Sequence, residues 1–380
     1  MIAVVILSVA LLGAILWDAF EAVILPRRIT RKLRVTHLVY ALTWPLWSYF
    51  PRRSKNWKKW EHYLSWYGPL SMFLLLALWA LGLITSFALL HWGLGSPLKT
   101  PEGESGVLVD LYMSGSTFFT LGLGDVTPHT PLSRVLIVME AGLGFGFLAL
   151  VIGYLPVLYT AFSRREAQIT MLDARAGSPP SAAEMLARTG RAGALDSLQR
   201  LVADWEVMGA ETMETHISYP ALLYYRSHHT NQSWVVSFAA VLDVCALVIA
   251  GIETVDAWQA QLTFAMLRHC VVDLIQVLNC RPESQRSVRL SAADREALYA
   301  YLDEAGVHCV RTPEAVAKLQ KLRSMYEPHI AALCNHLVLP MPGFTTTDRV
   351  KDNWRTSAFE RAEALTDLGS ARVDAGQDGH

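Results

Sequence analysis

Three long apolar runs dominate the first 162 residues of the 380-residue chain: Ile2 to Leu25, about Pro69 to Leu90, and about Val135 to Phe162. A helix needs about 20 predominantly apolar residues to cross a bilayer, so each run predicts a membrane-spanning helix. Between the second and third lies Val107–Thr120, moderately apolar and too short to span. Past residue 162 the pattern becomes amphipathic. Leu195, Leu198, Val202, Trp205 and Met208 form a stripe at helical spacing, predicted to stop at Gly209. Ser181-Ala-Ala-Glu184 reads as a capping box after the turn-forming Gly177-Ser-Pro-Pro run. Ser291-Ala-Ala-Asp opens a helix that Gly306 can close, and Thr312-Pro313 opens another with Pro at its first position.

Strand-like alternation is scarce, so the expected fold class is all-α, a membrane module followed by a helical soluble domain. The expected divisions are 1–67 (first spanning helix and a basic, aromatic segment), 68–162 (two spanning helices and the loop between them), 163–342 (helical domain) and 343–380. The last holds one helix around Thr347–Leu368 in a polar tail. Trp234 to Ile252 is nineteen mostly apolar residues with Asp243 at the centre, acids after it and no basic cluster at either end. It reads as a buried core helix rather than a fourth span.

Charge orients the membrane unit. The net formal charge is −1, but residues 1–162 carry 12 Lys/Arg against 8 Asp/Glu and residues 163–380 carry 21 against 26. The first apolar run lacks a basic leader and a small-residue cleavage site, so it is not read as a signal peptide. Arg27, Arg28, Arg31, Lys32 and Arg34 follow it, and the stretch 26–67 holds 10 basic residues and a single acid, Glu61. Residues 92–133 hold one Lys and four acids. The excess of basic residues on cytoplasmic loops then puts the N-terminus outside a cell membrane, 26–67 inside, 92–133 outside and the C-terminal domain in the cytoplasm, with Arg164 and Arg165 closing the third helix. Tyr40, Trp44, Trp47, Tyr49, Trp57, Trp60, Tyr63, Trp66 and Tyr67, interleaved with basic residues, suit a segment in the lipid headgroup layer. Membrane lipids are therefore an expected partner and nucleic acid is not. Asp18 and Glu21 share a helix face near the cytoplasmic end of the first run, where pairing with Arg27 or Arg28 is the simplest role. No helix carries Arg at every third position, so no voltage sensor is expected.

The chemistry of the C-terminal half is quiet. Its five cysteines match no disulfide framework. No P-loop, HExxH, GxSxG or dinucleotide fingerprint is present, so the chain does not read as an enzyme and no cofactor is expected. His269-Cys270, His308-Cys309 and Cys334-x-His336 lack metal-site spacing and read as scattered core residues. Tyr219, Tyr224, Tyr225, Arg226 and His228 gather near Pro220, as a pocket for an unknown cytosolic ligand or as a subunit interface.

The loop between the second and third runs is the informative segment. It contains Thr120-Leu121-Gly122-Leu123-Gly124-Asp125, followed by Pro128, Thr130 and Arg134. A dehydrated cation needs rings of oxygen atoms in place of its water, and successive backbone carbonyls supply them only in unusual conformations that glycine adopts cheaply. Gly122 and Gly124 allow this, and the Thr120 hydroxyl adds an innermost ring. Such backbone is tolerated at membrane depth only where it lines a watery path or is buried in protein. One chain supplies one strand, so a closed ring takes about four copies, a cyclic homotetramer.

The segment resembles the pore of potassium channels, whose filter reads Thr-Val-Gly-Tyr-Gly-Asp, and the likeness covers roughly residues 69–162. It implies that Thr120, Leu121, Gly122, Leu123 and Gly124 form a selectivity filter holding permeant K+. It implies that Tyr112 of a pore helix hydrogen-bonds the filter aspartate, Asp125, and that Gly144 occupies the place of an inner-helix hinge. Close packing through small residues is the alternative for Gly144. Pro156 removes a helix hydrogen bond and invites a kink. Leu123 departs from the family's Tyr and lacks the hydroxyl that braces such filters, so potassium-selective and weakly selective cation conduction both stay open. A membrane-anchored sensor with a non-conducting loop is the remaining alternative.

Overall fold

The computed structural model describes residues 1–23, 35–54, 57–96, 98–100, 103, 105–229, 231–252, 254–283 and 289–345. The basic residues Arg27–Arg34 and the helix expected around Thr347–Leu368 lie outside the described residues. The chain forms two compact units, one of Met1–Ser163 with Glu214–Tyr225, the other of Arg164–Met213 with the chain from Arg226 onward. Both are helical, and the only regular strands among the described residues are a two-residue antiparallel pair, Leu98–Lys99 (β1) with Thr127–Pro128 (β2).

The N-terminal unit begins with α1 (Ile2–Val23), followed by α2 (Val35–Trp47), α3 (Tyr49–Arg53), a 3-10 turn (Trp57–Trp60) and α4 (Glu61–Ser65). Then come α5 (Tyr67–Gly93), α6 (Val107–Phe118) and α7 (Pro131–Ala176). Helices α1, α5 and α7 are long and apolar enough to cross a membrane. α1 lies against α5 because two glycines on one face of α5 let it approach: a Cβ on Gly82 would stand 2.4 Å from Ile15 Cδ1, and one on Gly93 would stand 2.8 Å from Val5 Cγ2. Ile15, Leu75, Trp79, Leu83 and Phe118 fill the resulting core.

Asp18 is buried at the C-terminal end of α1 in that interface. Its Oδ2 accepts from the Thr36 amide (3.2 Å), the Thr36 hydroxyl (2.9 Å) and Trp79 Nε1 (2.9 Å), tying α1 to the start of α2 and to α5. Glu21 accepts from Trp17 Nε1 at 2.7 Å. The aromatic segment is partly buried within the unit. Tyr40, Trp44 and Tyr67 are buried, while Tyr49 and Trp66 are exposed.

The third apolar run gives a longer helix than expected. α7 continues through Pro156 without interruption and past Phe162 to Ala176. Arg165 therefore does not close it: the side chain is 1% exposed, 3.3 Å from Glu166, with its guanidinium 5.8 Å from the Trp234 ring centre.

After α7 come α8 (Ala182–Arg191), α9 (Leu195–Ser218), α10 (Trp234–Gly251), α11 (Trp258–Val277), α12 (Ala292–Glu304), α13 (Pro313–Ser324) and α14 (Glu327–Leu337), all in the C-terminal unit except the end of α9 from Glu214. Helix starts follow the capping chemistry. Ser291 and Asp294 form a reciprocal box, and Thr312 Oγ1 accepts from the Ala315 amide at 3.2 Å. Only half of the expected box forms at α8, because the Glu184 side chain turns to Arg188 and Tyr301. Gly209 does not end α9. The helix runs to Ser218 because Gly209 is a packing residue, whose added Cβ would meet Leu267 Cδ2 at 2.6 Å. α10 is the centre of this unit. Its composition suits a membrane span, yet 89% of its apolar window is buried, against 17%, 56% and 11% for the windows of the helices at 2–23, 61–93 and 131–176. A helix apolar all round that is covered by α8, α11, α13 and α14 is a core helix.

Candidate functional site

The loop that follows α6 takes its shape from the way that helix ends. α6 stops at Phe118, with Phe119 as C-cap. Thr120 turns left-handed at φ +57°. Its amide bonds the Thr117 carbonyl at 3.0 Å, and the Leu121 amide bonds the Ser116 carbonyl at 2.8 Å. This pair of bonds is the Schellman arrangement, which satisfies helix-end carbonyls and demands a left-handed residue at its centre. Gly122 and Gly124 are left-handed as well, at φ +59° and +81°, while Leu121 and Leu123 are not. No side chain crowds either glycine, so the backbone angle alone calls for glycine there. Alternation of left-handed with ordinary residues turns successive peptide planes alike, with carbonyls along one side of the strand and amides along the other.

The C-terminal end of the strand is pinned at Asp125. Tyr112 Oη, on α6, donates to its Oδ2 at 2.7 Å, and the Val126 amide donates to Oδ1 at 3.0 Å. The Tyr112 hydrogen bond holds the Asp125 carboxyl below the usual aspartate range. Beyond it, the pairing of Leu98 with Pro128 anchors the ascending strand to the segment after α5. Ser96 Oγ donates to Asp110 Oδ2 at 2.6 Å, tying that segment to α6.

α7 meets the end of α6, just before the loop, at Gly144. A Cβ added there would lie 2.1 Å from the Phe118 carbonyl oxygen. The missing side chain lets α7 touch the end of α6, so the packing reading of Gly144 has a direct geometric basis. Glu140 was not among the expected site residues. It lies one turn before Gly144, is fully buried beside Ser114 of α6, and neither carboxylate oxygen closes a hydrogen bond among the described residues. Its signal was a lone acid inside the third apolar run. Leu121 and Leu123 are each 64% exposed in the single chain.

The other candidates do not converge. Among the described residues no three His, Cys, Asp or Glu side chains gather as a metal site. His269 faces Asp273, His308 faces Asp303, and Cys270 and Cys334 are buried. The Tyr219–His228 group is divided between the two units: Tyr219, Tyr224 and Tyr225 pack in the first, while Arg226 donates to the Val338 carbonyl at 3.1 Å in the second.

Residues 73–160, from early α5 to late α7, match a family model described as ion channel. No curated protein and no solved structure matches the chain. The chain thus carries an ion-channel module in an all-α fold, and that module with its apolar helices fits a membrane protein.

Proposed function

We propose that four copies of this chain form a potassium-conducting channel, with the strand Thr120–Gly124 of each lining the path. The observation that carries this reading is the alternation of left-handed Thr120, Gly122 and Gly124 with ordinary residues directly after a helix C-terminus. It offers carbonyl oxygens in sequence to a dehydrated cation, and the negative end of the α6 dipole favours a cation at the inner end of the strand. One strand supplies one side of each oxygen ring. In the single chain Leu121, Leu123 and most of the apolar window of α7 lie open, surface that neighbouring copies and lipid would cover. The charge asymmetry of the loops supports an external N-terminus and a cytoplasmic C-terminal unit. Flux is passive. Gating is by movement of the cytoplasmic third of α7, where Pro156 leaves one backbone hydrogen bond unmade. Membrane lipids are partners by location, and no cofactor or catalytic residue enters.

Leu123 favours a second reading, a weakly selective Na+/K+ path, because it supplies no hydroxyl to brace the strand from behind. The test is reconstitution in vesicles under a potassium gradient. Potassium-driven flux that disappears in Gly122→Ala supports conduction through the strand; flux indifferent to that change refutes it. Reversal potentials under bi-ionic potassium/sodium conditions separate the two readings.

A further inference from the structure

Residues Glu214–Tyr225 come late in the sequence yet fold as part of the N-terminal unit. The last residues of α9 lead into a 3-10 turn, Pro220–Tyr224, in which Ala221 to Tyr224 are buried. One side of this segment packs on α7. Leu222 shares an apolar cluster with Tyr154, Leu158 and Phe162 of α7 and Met72 of α5. Ring centres are 5.6 Å apart for Tyr154 and Tyr219, and 5.5 Å apart for Phe162 and Tyr225. Tyr154, Leu158 and Phe162 recur every four residues, so they form one face of the helix, and that face straddles Pro156.

The other side of the segment is held by the cytoplasmic aromatic layer. Tyr224 stacks parallel on Tyr40 with ring centres 5.1 Å apart, and its ring lies 5.1 Å from Trp44 and 5.2 Å from Tyr67. The backbone fit is close: a Cβ on Gly68 would stand 2.7 Å from Tyr225 Cδ2 and 3.1 Å from the Tyr224 carbonyl oxygen. The face of α7 at Tyr154–Phe162 therefore cannot swing without displacing this segment or sliding over it. The segment itself is continuous in sequence with the C-terminal unit at both ends, through Met213 and Arg226.

We propose that Tyr219–Tyr225 is a transmission wedge, through which the state of the C-terminal unit sets the position of the cytoplasmic third of α7 and so the open fraction of the pore. This rests on the channel reading above and adds the part that couples the gate. The wedge acts on gating alone: ion selectivity stays with the Thr120–Gly124 strand.

The decisive experiment fixes the wedge to the helix and releases it. Full-length Phe162→Cys/Tyr225→Cys protein is reconstituted beside wild type and treated with a short, reducible bis-thiosulfonate cross-linker. Peptide mass analysis verifies the link. Coupling between sites commonly changes an equilibrium by roughly 5–150-fold, so the expected result is a change in potassium flux of about fivefold or more, reversed by reductant. Bi-ionic selectivity stays unchanged and wild type does not respond. Flux that is the same with the link formed and cleaved overturns the wedge. Absence of wild-type flux overturns the channel reading instead. Should the double variant fail to reach the membrane, Gly68→Ala decides in its place, since its Cβ pushes directly on Tyr224 and Tyr225. Altered flux at wild-type selectivity then supports the wedge, and wild-type flux overturns it.

Discussion

Arg289 grips Asp243 with its two terminal guanidinium nitrogens in the interior of the C-terminal unit, Nη2 to Oδ2 at 2.7 Å and Nη1 to Oδ1 at 3.1 Å. Asp243 is fully buried at the middle of α10, and the Arg289 side chain is 3% exposed. The pair is part of a larger balance. Arg289 also reaches Glu327 at 3.0 Å, Arg323 Nε reaches the same carboxylate at 2.9 Å, and Tyr326 donates its hydroxyl to Asp243. Both guanidinium groups lie over the Phe344 ring, at 4.8 and 5.1 Å. Two cations and two anions close on each other, which is how an otherwise apolar core helix carries an acid at its centre.

Removing one partner of that network leaves a buried charge uncompensated, which typically costs about 3–5 kcal/mol. Asp243→Ala is therefore expected to destabilise the C-terminal unit by that order. Asp243→Leu combined with Arg289→Met is expected to recover most of the loss, since an apolar pair of similar volume is often neutral or better. Denaturant unfolding of the full chain in detergent measures both. A single variant that loses less than about 1 kcal/mol, as an exposed pair would, contradicts this account of α10.

Glu184 predicts a pH dependence. Burial raises its pKa, but hydrogen bonds from Arg188 (2.7 Å) and Tyr301 (2.8 Å) outweigh burial and hold the carboxyl below the ordinary glutamate value. A carboxylate depressed in the folded state adds stability that is fully present above the unfolded value, about 4.3, and is lost as pH falls through the folded value. The stability difference between wild type and Glu184→Gln should be constant near neutral pH and shrink toward zero on acidification below that value. A difference that grows on acidification would reverse the sign and refute the pairing.

How much of this was legible in the sequence follows the distance between partners. Thr120–Asp125 is contiguous, and its glycine alternation names the backbone it needs, so the strand could be read directly. Tyr112 required the resemblance, but its partner is only 13 residues away. Asp18 was visible as an anomaly, yet its donors include Trp79, 61 residues on, and periodicity carries no information about such a pair. The same holds for Asp243, whose Arg289 lies 46 residues downstream. Gly209 was misread as a stop because a helical glycine that admits a neighbour looks the same in sequence as one that ends a helix. The return of Tyr219–Tyr225 to the N-terminal unit left no trace beyond a cluster of aromatic residues, since stacking partners are specified by tertiary packing alone.

Asp18 yields a prediction about the N-terminal unit. A single carboxylate oxygen accepts from three donors on α2 and α5, and hydrogen bonds to charged groups are each worth about 1.5–3 kcal/mol. Asp18→Ala orphans Thr36 and Trp79 and should lower thermal stability in detergent sharply. Asp18→Asn, which keeps one acceptor oxygen, should lose less. Equal behaviour of the two variants would show that the carboxylate has a role other than joining α1, α2 and α5.

Gly144 separates packing from hinging. Its absent side chain makes room for the Phe118 carbonyl, which an added Cβ would approach to 2.1 Å. The clash is with backbone at the end of α6, in the turn that shapes the Thr120–Gly124 strand, so no flexible side chain can yield. Forcing extra volume into a tight contact usually costs about 1–3 kcal/mol and sometimes more. Gly144→Ala is accordingly expected to lower thermal stability and to disturb the strand itself, changing bi-ionic selectivity together with flux. A residue that served only as a hinge would leave stability and selectivity untouched and alter the open fraction alone. Measuring all three on one preparation decides the matter: unchanged stability with unchanged selectivity would assign Gly144 to bending rather than to the support of the Thr120–Gly124 strand.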